Sequence, residues 1–555
     1  MKAINLESKK VTAIFFLFLI ALTFFLYWPN LSAYFVSDDF EWIYASYNKN
    51  PLTFFVTNSF GQTGFGNYGP LVNLAYYFSY QLGRLNPLPY HLFSLFFHLG
   101  NLALIYFITK HFFSKKPAML AALGFAVYFN NAEAVAWIAA IPHVMATFFY
   151  LLSVFFWLKF FQTNKNILYL FSLLAFIFGL LTKEIIITLP IIILILSLIQ
   201  SQSKNIRLSA KKIFFWLSYF LVLALYLFYR QKITGVMFGY YGRSHFDYSL
   251  IEYLKNVFSL LVSLVSSGQF RSKLIALFSN HLVFAAIGFV ASFCLALLFL
   301  GKKNLKLFFA FIVIFGAVLL PYISLLMNPL NNEGERYLYL PAIVVFIFLA
   351  LALTKIKTKI IWFLLPLVTV LFFTSGYLLL AKNNTWQLSG TIAKQIVSNF
   401  SGVVDLNQKD KEIYFLYLPD NLNGTQVFRN SIKQAIKLNY PDYDLKITVL
   451  SVYIMLDQNN WQQPLFAWKN YKTNKILGKT ISGQKIITGF DRRESDDLIF
   501  ELWGYDYKYF YTDSIFIEFK DSLIWRLQKE KVYLLYFDQG RLKLLDYQQS
   551  PFAII

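Results

Sequence analysis

The sequence predicts an α-helical polytopic membrane protein of about eleven spans with a C-terminal external α+β soluble domain. Three observations predict it. Of 555 residues, 57% are hydrophobic, with 62 Phe and 37 Tyr, which is more apolar surface than a soluble domain of that length buries. The Lys and Arg residues that leave a formal charge of +21 gather at the ends of apolar runs, so they read as topogenic and interfacial charges and exclude a nucleic-acid partner. Beyond Lys382 the charge density rises and apolar runs shorten to strand length, dividing the chain into a membrane part, 1–381, and an external domain, 382–555.

A spanning helix needs about 20 mostly apolar residues, and basic loops stay on the cytoplasmic side. Lys2, Lys9 and Lys10 precede the first run, 11–29, which lacks a small-residue cleavage site and reads as an uncleaved span with its N-terminus inside. An external loop, 30–87, follows, with 71–82 as a helix lying along the interface. The chain then returns inward over 88–108 to Lys110, Lys115 and Lys116, out over 118–129, in from His143 to Lys159, and out again by Leu181. The run 185–199 leads to the basic loop with Lys204, Arg207, Lys211 and Lys212, and 213–229 goes out. A full crossing at 250–266 would put Lys302, Lys303 and Lys306 outside, so that stretch reads as re-entrant or interfacial. The runs 281–300, 305–325, 337–353 and 360–380 complete the set. In the external domain, strands are expected at 413–418, 445–454, 485–487, 498–503, 514–519 and 532–537, with a helix at 427–438.

This topology gathers the unusual polar residues at one face. They are Asp38, Asp39, Glu41, Glu133, His143, Lys183, Glu184, Glu335 and Arg336. Ionisable groups inside a membrane cost about 2.5–3.5 kcal/mol on insertion scales, so each needs a partner or a wet cavity. Each also has a plain structural reading, as a loop charge, a helix-start acid or an interface anchor. His91 and His98, seven residues apart, share one helix face, where a buried, hydrogen-bonded role outweighs metal ligation. The single cysteine, Cys294, excludes an intrachain disulfide and a thiolate cluster. No cofactor is called for; an acidic pair is able to hold a divalent cation, but nothing else in the sequence supports one.

Several short motifs occur in order. They are Asp38-Asp39 after the first span, Tyr68-Gly69-Pro70-Leu71-Val72-Asn73-Leu74, Asn86-Pro87 with Tyr90-His91 and His98, Glu133 to Ile138, Thr182-Lys183-Glu184 with Pro190, and Glu335 to Pro341. Together they resemble the polytopic C-type (GT-C) glycosyltransferases, especially bacterial relatives of the transmembrane and tetratricopeptide-repeat O-mannosyltransferases, with protein O-mannosyltransferases and aminoarabinose transferases as distant kin. The chain departs from that pattern at Gly69, Ser94, Ile141 and His143, and shows no repeat array.

The resemblance implies a polyprenyl-phosphate sugar donor and an external acceptor, with membrane lipids around the spans. It implies Asp38 as catalytic base with Asp39 beside it, and Arg336 and Lys183 near the donor phosphate; the one-face topology puts Glu133, His143, Glu184 and Glu335, with His91 and Tyr68, around the expected substrate cavity. A bacterial-type cytoplasmic (inner) membrane with the C-terminal domain outside is the expected location. The competing classes are a transporter or lipid-linked glycan flippase, which internal repeats and midplane polar groups would mark, and a membrane-anchored binding scaffold, for which so many spans are superfluous.

Overall fold

The computed structural model describes residues 2–61, 67–204, 209–237, 250–268, 270–271, 273–274, 305–323, 325, 333–356, 358–407, 411–450, 452–472, 475–481, 484–488, 498–503, 512–529 and 531–545. The expected span at 281–300, with Cys294, lies outside them. The chain divides into two compact units, one made of Met1–Leu31 and Ala45–Asn383, the other of Ser32–Tyr44 and Asn384–Ile555.

Among the described residues seven helices are long and apolar enough to cross a membrane: Lys9–Ser32, Leu88–Phe112, Ile138–Thr163, Glu184–Ser201, Ala210–Thr234, Glu335–Lys355 and Trp362–Val403. Asn166–Leu180 and Phe308–Tyr322 are shorter apolar helices. The protein is an integral membrane protein. Its outer helix faces remain apolar, with Phe96, Phe214, Leu221 and Phe228 exposed, as lipid-facing positions require.

One expected crossing, 118–129, is shorter than a span. The helix there is Lys115–Ala126, 12 residues, or about 18 Å against a hydrocarbon core of about 30 Å. It ends where Asn130 and Asn131 turn their amides onto backbone carbonyls of Ser263 and Phe125. Its Ala118, Ala121, Ala122 and Ala126 are fully buried, and Gly124 lies so near Phe346 that a Cβ would meet the ring at 2.8 Å. Small residues thus let this short helix pack closely on its neighbours. The helix expected to lie along the interface runs Pro70–Gly83, and the stretch read as re-entrant carries a helix at Leu250–Ser263.

In the second unit the strands are β1 (Glu412–Leu422), β2 (Thr425–Gln426), β3 (Lys446–Val449), β4 (Val452–Leu456), β5 (Phe466–Lys472), β6 (Lys475–Thr480), β7 (Lys485–Thr488), β8 (Leu498–Trp503), β9 (Ser514–Phe519), β10 (Val532–Asp538) and β11 (Arg541–Leu544). One sheet runs β11-β10-β1-β4-β7 with β2 and β3 also on β1; the other runs β5-β6-β9-β8. Strand β1 is the buried centre, parallel to β10, β3 and β4, and its near-continuous apolar run Ile413–Leu418 suits a strand covered on both faces.

The helix expected at 427–438 begins at Ile432 and ends at Asn439. The preceding residues are occupied otherwise, since the Val427 and Phe428 amides bond back to the carbonyls of Asp420 and Pro419. The Thr358–Val403 helix, 46 residues long, carries the chain from the first unit into the second.

Candidate active site

In the first unit the Asn131–Ala136 helix presents Glu133 to the turn that opens the Glu335–Leu338 segment. The Glu133 carboxylate accepts the backbone N–H groups of Gly334 at 3.2 Å and Arg336 at 2.7 Å and pairs with the Arg336 guanidinium. Gly334 adopts φ +97°, a conformation glycine enters at little cost, which turns both amides toward one carboxylate. Arg336 lies 5.0 Å from the Trp137 ring centroid and 4.7 Å from that of Tyr337, and donates to the Tyr337 hydroxyl at 2.9 Å. His143 faces the same aromatic group, its ring 5.6 Å from Tyr337 and 6.4 Å from Tyr322.

Half-buried Lys183 opens the Glu184–Thr188 turn, within electrostatic reach of Glu184, Arg336 and Arg230. Arg230, 1% exposed, is held by the carbonyls of Val236 and Met237 at 2.8 and 2.7 Å. Arg336 and Arg230, from segments distant in sequence, thus lie within electrostatic reach of Lys183, as does the acid Glu184, and Glu133 fixes the geometry of Arg336. Such a cluster stabilises an anion of higher charge than a single Lys would.

Glu335 lies beside this group, within electrostatic reach of Glu133. Its carboxylate is 2.6 Å from Lys382 and 3.6 Å from Arg271, and Lys382 also donates to Asn130. His98 bonds to the Tyr339 hydroxyl at 2.6 Å, a core role; His91 is buried on the same helix, and the Tyr68 hydroxyl donates to the Phe55 carbonyl. Among the described residues no group of three or more His, Cys, Asp or Glu is arranged to hold a metal ion.

The acids of the first loop belong to the second unit. Asp38, Asp39 and Glu41 occupy the first turn of the Asp38–Ser46 helix, where a carboxylate is favoured by the helix N-terminus. They are not equivalent. Asp39 is 1% exposed and turns back to accept the Val36 N–H at 2.9 Å, a capping role. Asp38 is half-buried. Burial pushes the Glu41 carboxyl up to about 7, with the Asp38 charge adding to the rise and the Ser431 hydroxyl opposing it. Arg230, Arg271 and Lys382 escaped the sequence reading. Each is a cation inside or beside an apolar run, and that is the signal it offered.

Residues 67–229 match the family model described as dolichyl-phosphate-mannose-protein mannosyltransferase. That stretch includes Tyr68, His91, Glu133, His143, Lys183 and Glu184; Asp38, Asp39, Glu335 and Arg336 lie outside it. Protein O-mannosyl-transferase TMTC3 of Mus musculus is 28% identical over 159 residues, 27% of this chain and 17% of the mouse protein. Protein O-mannosyl-transferase Tmtc1 of Drosophila melanogaster is 31% identical over 143 residues, 24% of this chain and 17% of the fly protein. The chain thus spans about a sixth of the length of these curated relatives. Among solved structures, ArnT from Cupriavidus metallidurans in the apo state aligns with TM-score 0.44 and 12% identity over 80% of this chain and 86% of that one. The same protein bound to undecaprenyl phosphate aligns with TM-score 0.41 and 12% identity over 78% and 89%.

Proposed function

We propose that the protein is a membrane glycosyltransferase that moves a sugar from a polyprenyl-phosphate donor to a hydroxyl of an external acceptor. The observation that carries the reading is the convergence of Lys183, Arg230 and Arg336 in the apolar first unit, within a chain whose 67–229 stretch matches a family described by a lipid-phosphate sugar donor. A lipid phosphate gains negative charge as it leaves, and preorganised cations in a water-poor site are the means of stabilising that charge. Lys183 and Arg336 take the donor-phosphate role, with Glu133 fixing Arg336.

Asp38 takes the role of base. An acceptor hydroxyl is too weak an acid to attack unaided at neutral pH, so a carboxylate accepts its proton as the acceptor oxygen bonds to the anomeric carbon. The bond from that carbon to the phosphate oxygen breaks in the same step, the electron pair leaves with the phosphate, and the configuration inverts. Asp39 is 1% exposed and accepts the Val36 N–H, whereas Asp38 is half-buried and so within reach of an acceptor hydroxyl. The domain beyond Asn383 and the acid loop are external on this reading.

Purified full chain in proteoliposomes, supplied with polyprenyl-phosphate mannose and an envelope extract as acceptor, tests it. One polyprenyl phosphate should be released for each sugar appearing on the acceptor. Movement of the intact lipid-linked sugar across the bilayer without its cleavage would overturn the reading in favour of translocation.

A further inference from the structure

We infer that the 427–431 segment of the C-terminal domain, through Asn430 and Ser431, positions the acids of the Asp38–Ser46 helix, which makes the domain part of the transfer machinery. The inference rests on the reading of Asp38 as base. It starts from the grouping of Ser32–Tyr44 in one compact unit with Asn384–Ile555, although residues 45–383 separate the two stretches in the chain.

The contact is made by chemistry placed on both sides. The Ser37 N–H donates to the Val427 carbonyl at 2.8 Å, and the Phe40 ring stacks on Phe428 at 5.6 Å. Gly390 of the Thr358–Val403 helix lies against the Tyr34 backbone so closely that a Cβ there would fall 2.6 Å from the Tyr34 nitrogen. Between these contacts the Asn430 Oδ1 accepts the Ser37 hydroxyl at 2.7 Å and the Ser431 hydroxyl at 3.1 Å, and Ser431 also reaches Glu41 at 3.4 Å. Both serines hold left-handed backbone, φ 44° at Ser37 and 64° at Ser431. Non-glycine residues persist in that region when the surroundings over-determine them, and such positions cluster at functional sites.

The Ser37 hydroxyl has one proton to give. It stands 2.7 Å from Asn430 and 3.5 Å from Asp38 Oδ1, so the short bond to Asn430 takes the proton and the contact with Asp38 stays weak. A carboxylate that is not stabilised by a charge-assisted hydrogen bond from its neighbour keeps more of its basicity. Asn430 thereby tunes the proposed base through Ser37, as a positioning residue. Charged groups around the helix start include Asp39 and Glu41 on the helix itself, Arg429 held by Asp420, and Lys394 and Lys437 over the Tyr34 and Tyr44 rings.

Membranes from cells producing the full chain carry their own donor and acceptor, so the glycan product can be measured in them by mass spectrometry from about pH 5.5 to 8.5 beside the level of the protein. Asn430→Ala releases the Ser37 proton to Asp38 and should move the half-maximal pH down by about one unit. Asn430→Asp adds a negative charge and should move it up. Ser431→Gly relieves the left-handed backbone, keeps the protein level, and should shift the profile by removing the hydroxyl that faces Glu41. A merely structural clasp would lower the product in every variant without opposed shifts. Wild-type profiles in Asn430→Asp and Ser431→Gly at normal protein level overturn the inference. Product made by Asp38→Asn overturns the functional reading instead, and the inference falls with it.

Discussion

Replacing Glu133 by Gln removes the charge that holds Arg336 while keeping the size of the side chain. The Glu133 side chain is 5% exposed and that of Arg336 is 16% exposed, so neither is relieved by bulk water. A guanidinium cannot deprotonate, and breaking such a buried pair costs about 3–5 kcal/mol because the remaining charge is left uncompensated. The Trp137 and Tyr337 rings and the Tyr337 hydroxyl stay in contact with Arg336 and return about 1–2 kcal/mol. The net loss is about 1–4 kcal/mol, which for a chain of this size is a fall of about 1–3 °C in the midpoint of thermal unfolding. Purified variant in detergent, followed by tryptophan fluorescence on heating, reads it. A Glu133→Gln midpoint equal to that of the wild type would refute the clamp, and with it the fixed placement of Arg336.

Glu41 supplies a pH dependence of defined sign. Its carboxyl titrates near 7 in the folded chain, against 4.5 for the ordinary group, because of burial and then Asp38. Its contribution to stability is therefore fully present below about pH 4.5 and lost as pH rises through about 7. Glu41→Gln should flatten the fall in thermal midpoint between about pH 4.5 and 7 and be the more stable protein above that range; parallel curves for the two proteins would contradict this. Gly390→Ala places a methyl 2.6 Å from the Tyr34 nitrogen and 2.7 Å from its oxygen, both backbone atoms, so the acid segment must shift. A loss of about 1–3 kcal/mol is expected, read as faster proteolysis within the 32–44 segment. Equal cleavage rates would count against the close approach.

Run length carried most of the membrane helices in the sequence, since a span has a fixed minimum length. Strands at Leu498–Trp503 and Ser514–Phe519 have the expected bounds, because each is a short apolar-rich run. The β5–β6 hairpin went unread. Its Lys469-Asn470 and Lys472-to-Lys475 stretch is too polar for the strand pattern, and the partner β9 supplies the apolar face from another part of the chain. The helix start at Ile432 depended on the pairing of 427–428 back to β1, a tertiary effect that a local window does not contain. In the candidate site, one-face topology brought Lys183 and Arg336 into one list, and the structure has them within electrostatic reach. The assignment of Glu133 to Arg336, 203 residues away, and of Asn430 to Ser37, 393 residues away, is invisible to spacing. So is the difference between Asp38 and its capping neighbour Asp39, which depends on where the Val36 N–H points.

Mass spectrometry of the envelope glycoconjugates from cells with the wild-type gene, without it, and with Asp38→Asn tests the central claim most directly. A sugar-sized mass increment present only with the wild-type protein, and missing from Asp38→Asn at equal protein level in the membrane, is the predicted result. The same increment in the Asp38→Asn cells, or identical glycoconjugates with and without the gene, would contradict it.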